Sequence, residues 1–212
     1  MSDPDLPSNL VPGRLERHGE LMEARVELGS GTVDGAHARL AESVVAPTAL
    51  ERLDLVGSIL ADVRFDDIAA AELLARDASW RTVLIAAGRI GTLDAARGRW
   101  DGVVLRGLRI DYLSVSGATV RDVVIADCRI GTLDAPGAQL ERVRFENTTV
   151  DEFDTRAMTS SDLDLRGLEA LAFTDVRALR DVTLSLRQAE AHAAALAGAL
   201  GIDVRDDAPG AS

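Results

Sequence analysis

The sequence predicts an all-β solenoid, a four-sided β-helix of about seven to eight coils, from three observations. The heptapeptide Arg-Ile-Gly-Thr-Leu-Asp-Ala occurs at 89–95 and again at 129–135, a distance of two 20-residue periods. Within each period a large apolar residue recurs every five positions, and a second apolar residue stands two positions before it. Hydrophobic residues make up 47% of the chain and aromatic residues only 3%, which favours thin, repetitive packing over a core of large rings.

The five-residue period is not that of a continuous helix or strand. An amphipathic α-helix buries residues at a period of about 3.6, and a half-buried strand at a period of about 2. A chain that presents two inward positions, turns a corner and repeats will return to its starting side after four such sides. Each coil of 20 residues then stacks on the previous coil at the strand spacing of about 4.8 Å.

Residues one coil apart should lie directly above one another, so each column of side chains should keep its size. One column is large throughout, a second is mostly Val, and a third is small, running through Ser58, Ala78 and Gly98. The predicted core ladders are Leu53, Leu73, Leu93, Leu113, Leu133, Phe153 and Phe173, and Val63, Val83, Val103, Val123 and Val143. A helical bundle would not preserve side-chain size at this spacing.

Residues from about 31 to 185 resemble the pentapeptide-repeat family, whose five-residue unit reads Ala-(Asp/Asn)-Leu-X-X. The stretches that carry the resemblance include Leu53-Asp54-Leu55, Leu133-Asp134-Ala135, Ala138-Gln139-Leu140, Val143-Arg144-Phe145 and Leu163-Asp164-Leu165. The resemblance implies a right-handed, quadrilateral β-helix. Trp80 and Trp100 occupy positions that usually hold Leu or Phe, which indicates a widened or irregular coil there.

The two ends of a solenoid need covering, because open sheet edges promote aggregation. The proline-rich start of the chain predicts a disordered tail, and residues 20–29 predict an irregular first strand. The predicted units are a disordered tail over 1–19, the β-helix over 20–185, a capping helix and chain end over 186–204, and a disordered tail over 205–212.

The C-terminal helix is predicted over residues 186–200. Ser185 and Gln188 have the spacing of a capping box, and Gly201 with Ile202 predicts a Schellman ending. Its predicted apolar face consists of Leu186, Ala189, Ala193, Leu196 and Leu200. This face would lie over the last coil or, alternatively, form a dimer surface.

The chain offers no predicted catalytic, cofactor-binding or metal-binding residues. His18, His37 and His192 have no metal-ligand or triad spacing and are expected in solvent, and the single cysteine, Cys128, is expected to be a buried, inert filler. A surface ladder of carboxylates is predicted at Asp34, Asp54, Asp94, Asp134 and Asp154. Because the inward columns are filled, we expect no ligand-sized interior pocket and no cofactor.

The net charge of −12 argues against direct nucleic-acid binding and against anionic membranes, which both attract positive surfaces. No stretch is apolar enough to span a bilayer and the N-terminus lacks a signal-like apolar region, so we expect a cytoplasmic location.

Three functions stay open from the sequence. The first is a non-catalytic interaction or scaffold module for an unknown protein partner, since the predicted rod has flat faces and no site chemistry. The second is modulation of DNA gyrase or topoisomerase by DNA mimicry, which the family resemblance implies, although Arg97, Arg121 and Arg142 are interspersed among the acids. The third is a structural homodimer through residues 186–200.

Overall fold

Residues that the sequence repeats every 20 positions lie side by side in parallel strands. The computed structural model describes residues 3–205. Leu93 pairs with Leu73 in one neighbouring strand and with Leu113 in the other, so the ladder register equals the sequence period. The chain is therefore a parallel β-solenoid.

The strands form two sheets, which run along the length of the solenoid. The twelve-stranded sheet contains Val11–Gly13 (β1), Glu20–Met22 (β2), Ala24–Val26 (β3), Arg39–Val45 (β5), Ile59–Phe65 (β7), Ser79–Ile85 (β9), Arg99–Asp101 (β11), Val104–Arg106 (β12), Thr119–Ala126 (β14), Gln139–Glu146 (β16), Thr159–Asp164 (β18) and Val182–Thr183 (β20). The eight-stranded sheet contains Thr32–Asp34 (β4), Thr48–Asp54 (β6), Ile68–Leu74 (β8), Gly88–Asp94 (β10), Leu108–Ser114 (β13), Arg129–Asp134 (β15), Thr148–Asp154 (β17) and Leu168–Phe173 (β19). The latter set corresponds to eight coils within the described residues.

The strands of the larger sheet bend at a column of residues with left-handed backbone conformation. This column contains Glu42, Asp62, Thr82, Gly102, Asp122, Arg142 and Asp162, with φ between 48° and 72°. Asp and Gly tolerate this conformation better than most residues, whereas a β-branched residue such as Thr82 is strained in it. The bend divides each strand into two sides of the coil, which accounts for the two inward positions followed by a corner.

A different constraint explains the glycines of the repeated heptapeptide, which are Gly91 and Gly131. A Cβ atom at Gly91 would lie 2.6 Å from the Ala71 carbonyl oxygen, and one at Gly131 would lie 2.5 Å from that of Asp111. Both contacts are too short for a carbon atom. Only glycine lets the coils approach this closely on that side.

The two predicted ladders of large and Val side chains lie inside the solenoid. The large column from Leu53 to Phe153 is at most 3% exposed, and Phe173 in the last coil is partly buried. The five Val side chains are at most 2% exposed. Like side chains thus contact like along the dry interior.

The two tryptophans stack within this interior, with ring centroids 5.3 Å apart and planes 5° from parallel. The residues two positions before them are the small Ala78 and Gly98, which leave room for the indoles. Neither indole N–H has a hydrogen-bond partner among the described residues. The coil of Trp100 is also irregular, because its strand is interrupted at Gly102 between β11 and β12.

The first coil is one residue short. Leu21 pairs with Leu40 and Val26 with Val45, an offset of 19 residues, whereas Val33 pairs with Leu53 at the ordinary offset of 20. The segment between Val26 and β4 therefore contains one residue fewer than its counterpart in the next coil. This explains why Val26 falls one position out of the later register.

The structure differs from the disordered tail expected over residues 1–19. Strand β1 pairs in parallel with β3, and Leu15 is 6% exposed in the core cluster. A Cβ atom at Gly35 would lie 2.6 Å from a Leu15 methyl carbon, so Leu15 packs closely on the second coil. Residues 11–15 thus belong to the solenoid, because β1 pairs with β3 and Leu15 packs into the core.

The C-terminal helix is present as two short helices, Leu186–Ala191 (α1) and Ala193–Ala199 (α2), preceded by a 3₁₀ turn at Val176–Ala178. The capping box of Ser185 and Gln188 is formed. The Schellman ending is formed too: Ile202 N–H donates to the Ala197 carbonyl and Gly201 N–H to that of Gly198, both at 3.0 Å.

The predicted apolar face of one continuous helix over residues 186–200 is wrong. The helix is interrupted at His192, and Leu186, Ala193 and Leu200 are exposed. Ala189 and Leu196 are only half-buried. Of the tail predicted over 205–212, residues 206–212 lie outside the described part of the chain. Over residues 3–205, no helix is both long and apolar enough to cross a membrane.

Candidate interaction surfaces

The predicted aspartate ladder binds the backbone of its own turns. Asp34, Asp54, Asp94 and Asp154 each accept a hydrogen bond from the backbone N–H two residues further on, at 3.0–3.1 Å. This is the geometry of an Asx turn. The ladder is therefore a row of turn-forming carboxylates, and Asp154 is only 7% exposed.

Asp134 is the exception in this ladder, because Pro136 has no N–H to donate. Its carboxylate instead accepts hydrogen bonds from the hydroxyls of Tyr112 and Ser114, both at 2.9 Å. Burial, and next the hydrogen bond to Asp134, raise the pKa of Tyr112 above its usual range. The turn is held by side chains of the preceding coil.

Other carboxylates are paired with arginines one coil away. Arg97 forms a two-pronged ion pair with Asp77 at 2.7–2.9 Å, and Arg142 forms one with Asp122 at 2.7–2.8 Å. The hydrogen bonds from these guanidinium groups lower the pKa of Asp77 and of Asp122. Arg142 also contacts Glu141. The negative charge at these two corners of the coil is thus partly neutralised along the solenoid axis.

A column of exposed arginines is formed by Arg89, Arg109 and Arg129, which lie in register on neighbouring strands. Arg89 and Arg109 both approach Asp111, at 3.5 and 3.8 Å. Arginines stacked in adjacent coils repel one another, and the carboxylate that Arg89 and Arg109 share offsets this repulsion.

A cleft with a volume of about 530 Å³ lies on the outside of the solenoid. It follows the bent corner of the larger sheet, over the coils of Gly102, Asp122, Arg142 and Asp162. Its polar lining consists of Asp101, Asp122, Asp162, Asp164, Arg142 and Arg144. Four carboxylates and two guanidinium groups thus share one outer cleft, which suits a polar contact with a protein better than a buried reactive centre.

Cys128 is a buried structural residue. It is 1% exposed, and its Sγ lies 3.2 Å from the Ala126 carbonyl oxygen and 3.7 Å from that of Leu105. Burial raises the pKa of its thiol to about 11. At neutral pH the nucleophilic thiolate is therefore scarcely populated.

The three histidines do not converge on one site. His18 stacks on His37 in the next coil, with ring centroids 5.1 Å apart, and both are exposed. His192 departs from the expected solvated position: it is half-buried and packs edge-on against Phe173 at 4.9 Å. Across residues 3–205, no three His, Cys, Asp or Glu side chains gather where they could hold a metal ion.

The C-terminal end presents apolar side chains to solvent. The exposed ones are Leu171, Leu186, Leu200, Ile202 and Val204, between 55% and 80% exposed. Of these, Leu186 lies on α1, which is held to the last coils because the Gln188 side-chain amide donates to the carbonyls of Leu165 and Leu168, both at 2.6 Å. This end is a surface with an unusual concentration of exposed apolar groups.

Comparison with known proteins gives matches at the level of structure only. No protein-family model and no curated protein sequence matches the chain. Two trypsin-treated variants of QnrB1, a plasmid-mediated fluoroquinolone resistance protein, are 17% and 15% identical, with TM-scores of 0.39 and 0.29. They cover 86% and 89% of this chain and 100% of their own. HetL, a pentapeptide repeat protein involved in heterocyst differentiation regulation in Nostoc sp. strain PCC 7120, is 14% identical with a TM-score of 0.32, covering 78% of this chain and 86% of its own.

The register and the packing of this chain define a repeat protein of the parallel β-solenoid class. The coils between the two shortened ends have 20 residues each, inward side chains recur every five, and a short helical segment follows the last coil. These are the features of the pentapeptide-repeat β-helix, and the chain has that fold.

Proposed function

We propose that the chain is a non-catalytic protein-interaction module that binds through its C-terminal end. Two features support the absence of catalysis: the inward columns are filled with apolar side chains, and the outer cleft of about 530 Å³ is lined by charged groups, of which Arg142 and Asp122 form an ion pair. An enzyme of ordinary kind requires a pocket with convergent polar groups and an activated acid, base or nucleophile. The cysteine thiol is protonated at neutral pH.

The exposed apolar side chains at the C-terminal end carry this proposal. Five of the nine large hydrophobic residues that are exposed in the described chain lie between Leu171 and Val204. Burial of one such side chain contributes about 1.5–3 kcal/mol, so a partner that covers several gains substantial affinity. The fixed backbone of α1 also lowers the entropy cost of binding, because the surface is already formed.

The partner that fits this surface best is a second copy of the chain. An apolar patch at the end of a rod is self-complementary about a two-fold axis, the commonest arrangement in soluble oligomers. Joining two C-terminal ends would cover the apolar groups of both. It would leave the outer faces of the solenoids free.

Light scattering of the purified chain tests the homodimer. We expect twice the chain mass of 22.5 kDa for the unmodified protein. The double variant Leu186→Glu, Leu200→Glu should be a monomer with unchanged thermal unfolding. A matched control, Met22→Glu with Ile59→Glu, also replaces two exposed apolar residues by Glu but should remain a dimer.

If the unmodified chain is a monomer, the second copy is excluded and a different protein becomes the partner. Affinity capture with the unmodified chain and with the Leu186→Glu, Leu200→Glu variant as parallel baits then decides. A protein retained by the first bait and lost by the second supports the C-terminal surface. Identical retention by both baits, or turnover in a panel of hydrolase and transferase substrates that a point mutation abolishes, would refute the proposal.

DNA mimicry directed at gyrase or topoisomerase is the second candidate. Its support is the net charge of −12 and the carboxylates Asp101, Asp122, Asp162 and Asp164 around the outer cleft. Against it, the carboxylates of Asp77 and Asp122 are bound by Arg97 and Arg142, so they do not form an unbroken row of negative charge. A supercoiling assay with the gyrase of the native host, unaffected by micromolar protein, would remove this candidate.

A further inference from the structure

Apolar side chains on one outer face of the solenoid are buried although they point away from its interior. Val44, Leu84 and Val104 are 2–5% exposed, and each stands between two inward-pointing neighbours of its strand. None of them belongs to the interior core cluster. Arg64, at the same column position, is exposed. Some other part of the protein must therefore cover this column from outside.

Residues 3–10, which we name the N-terminal strap, are in the right place to cover it. At one end, the Val11 N–H donates to the Glu23 carbonyl at 2.9 Å, which places it above the first coil. At the other end, the Asp3 carboxylate lies 3.9 Å from the Arg106 guanidinium. The half-buried strap residues are Pro4, Leu6, Pro7 and Leu10, whereas Asp3, Asp5, Ser8 and Asn9 are exposed.

The length of the strap agrees with this path. The ladder partners from Pro12, next to Val11, to Val104 pass through β3, β5, β7 and β9, which makes five coil steps. At about 4.8 Å per step this is about 24 Å. Eight residues from Val11 to Asp3 span about 26 Å when extended. The strap therefore crosses the coils as an almost fully extended segment, a conformation that its prolines favour.

We propose that the column of Val44, Leu84 and Val104 is the floor of a peptide-binding groove, which the strap occupies in the free protein. The ligand would be an extended segment of another protein with the chemistry of the strap: apolar and proline residues spaced by acidic ones. Arg106 is the cationic anchor for its carboxylates. This surface is separate from the C-terminal end proposed above, so the two proposals can fail independently.

The way the strap is held favours exchange. It is attached at its far end by one ion pair between half-exposed side chains, and such pairs contribute little. Its remaining hold comes from side chains that are only half-buried. The groove also continues one coil beyond Val104 to Val124, which lines the outer cleft of about 530 Å³. A longer segment gains contacts there, offsetting the advantage in local concentration that the tethered strap has.

The test uses a fluorescein-labelled peptide with the sequence of residues 3–10 and the full chain. In the variant Leu6→Asp, Leu10→Asp the strap should be released, and fluorescence anisotropy should show saturable binding of the peptide. The matched control Ser8→Asp, Asn9→Asp adds the same charge at exposed positions, so it should bind at least tenfold more weakly, as should the unmodified chain. Adding Leu84→Asn to the released variant should abolish binding.

Three outcomes would overturn the proposal. The first is no peptide binding by a released variant that still unfolds cooperatively, and the second is equal binding by all chains. If Leu6→Asp, Leu10→Asp does not fold, the milder pair Leu6→Ala, Leu10→Ala replaces it. The third outcome is failure of that milder pair to fold, which would show that the strap is a fixed part of the fold. Leu186→Glu with Leu200→Glu should not alter peptide binding.

Discussion

Leu113 offers the most direct test of how the coils stack. Its side chain is fully buried and pairs in register with Leu93 and Leu133 on the neighbouring coils. Leu113→Ala removes buried methyl groups and leaves a cavity between two leucines, which typically costs about 2–5 kcal/mol. For a chain of this size each kcal/mol lowers Tm by about 2–4 °C, so a loss of about 3 kcal/mol corresponds to roughly 6–12 °C.

Leu113→Asp should have a larger effect. An unpaired carboxylate in the dry interior costs several kcal/mol beyond the lost leucine, and the total approaches the whole stability of about 5–15 kcal/mol. We expect this variant not to fold at neutral pH. Far-UV circular dichroism during heating and urea titration measures both substitutions.

Asp111→Ala is the matched control, two residues away on the same strand. The Asp111 carboxylate points outward and is half-exposed beside Arg89 and Arg109. Ion pairs of this kind contribute less than about 1 kcal/mol, so Tm should fall by no more than about 3 °C. Equal unfolding midpoints for Leu113→Ala and Asp111→Ala would refute the assignment of inward and outward positions.

Three further outcomes follow from individual sites. Thr82→Gly should raise the free energy of unfolding by about 1 kcal/mol, because Thr82 has a φ of 52° and glycine already stands at the equivalent Gly102; a lower urea midpoint would contradict the strain. Asp77→Asn should slightly destabilise the protein at pH 7. The pKa of Asp77 is lowered when folded, so its ion pair stabilises above about pH 4 and is lost as pH falls through the folded-state pKa. The urea midpoints of Asp77→Asn and of the unmodified chain should therefore converge in acid. A difference that persists there would exclude the ion pair as the cause of the destabilisation. Cys128, whose pKa is raised to about 11, should react with a thiol reagent at pH 8 far more slowly in the folded than in the urea-unfolded chain, and equal rates would show an accessible thiol.

The coils could be predicted because their signal is local and repeated. Leu93 and Leu113 occupy equivalent positions in the sequence and are neighbours in the ladder, so one period is sufficient to assign both. The same reasoning placed Cys128 inside. It did not anticipate the left-handed corner at Thr82 and Arg142, because neither residue type favours that conformation.

The candidate surfaces were less accessible to such reasoning. Val44, Leu84 and Val104 occupy positions that the repeat assigns to the outside, and nothing periodic in residues 3–10 indicates that this segment covers them. His192, where the helix is interrupted, packs against Phe173, and an Ala-rich segment of this length is only marginally helical without such contacts.

By itself the sequence determined the 20-residue coil, the inward columns and the caps at Ser185 and Gly201, because each depends on residue types at fixed short spacing. Only the tertiary structure decided the path of the N-terminal strap and the exposure of Leu186 and Leu200. These features rest on contacts between segments that are distant in the chain. Each such contact is weak. The summed free energy of many of them selects one arrangement of the segments, among several that the local sequence pattern does not distinguish.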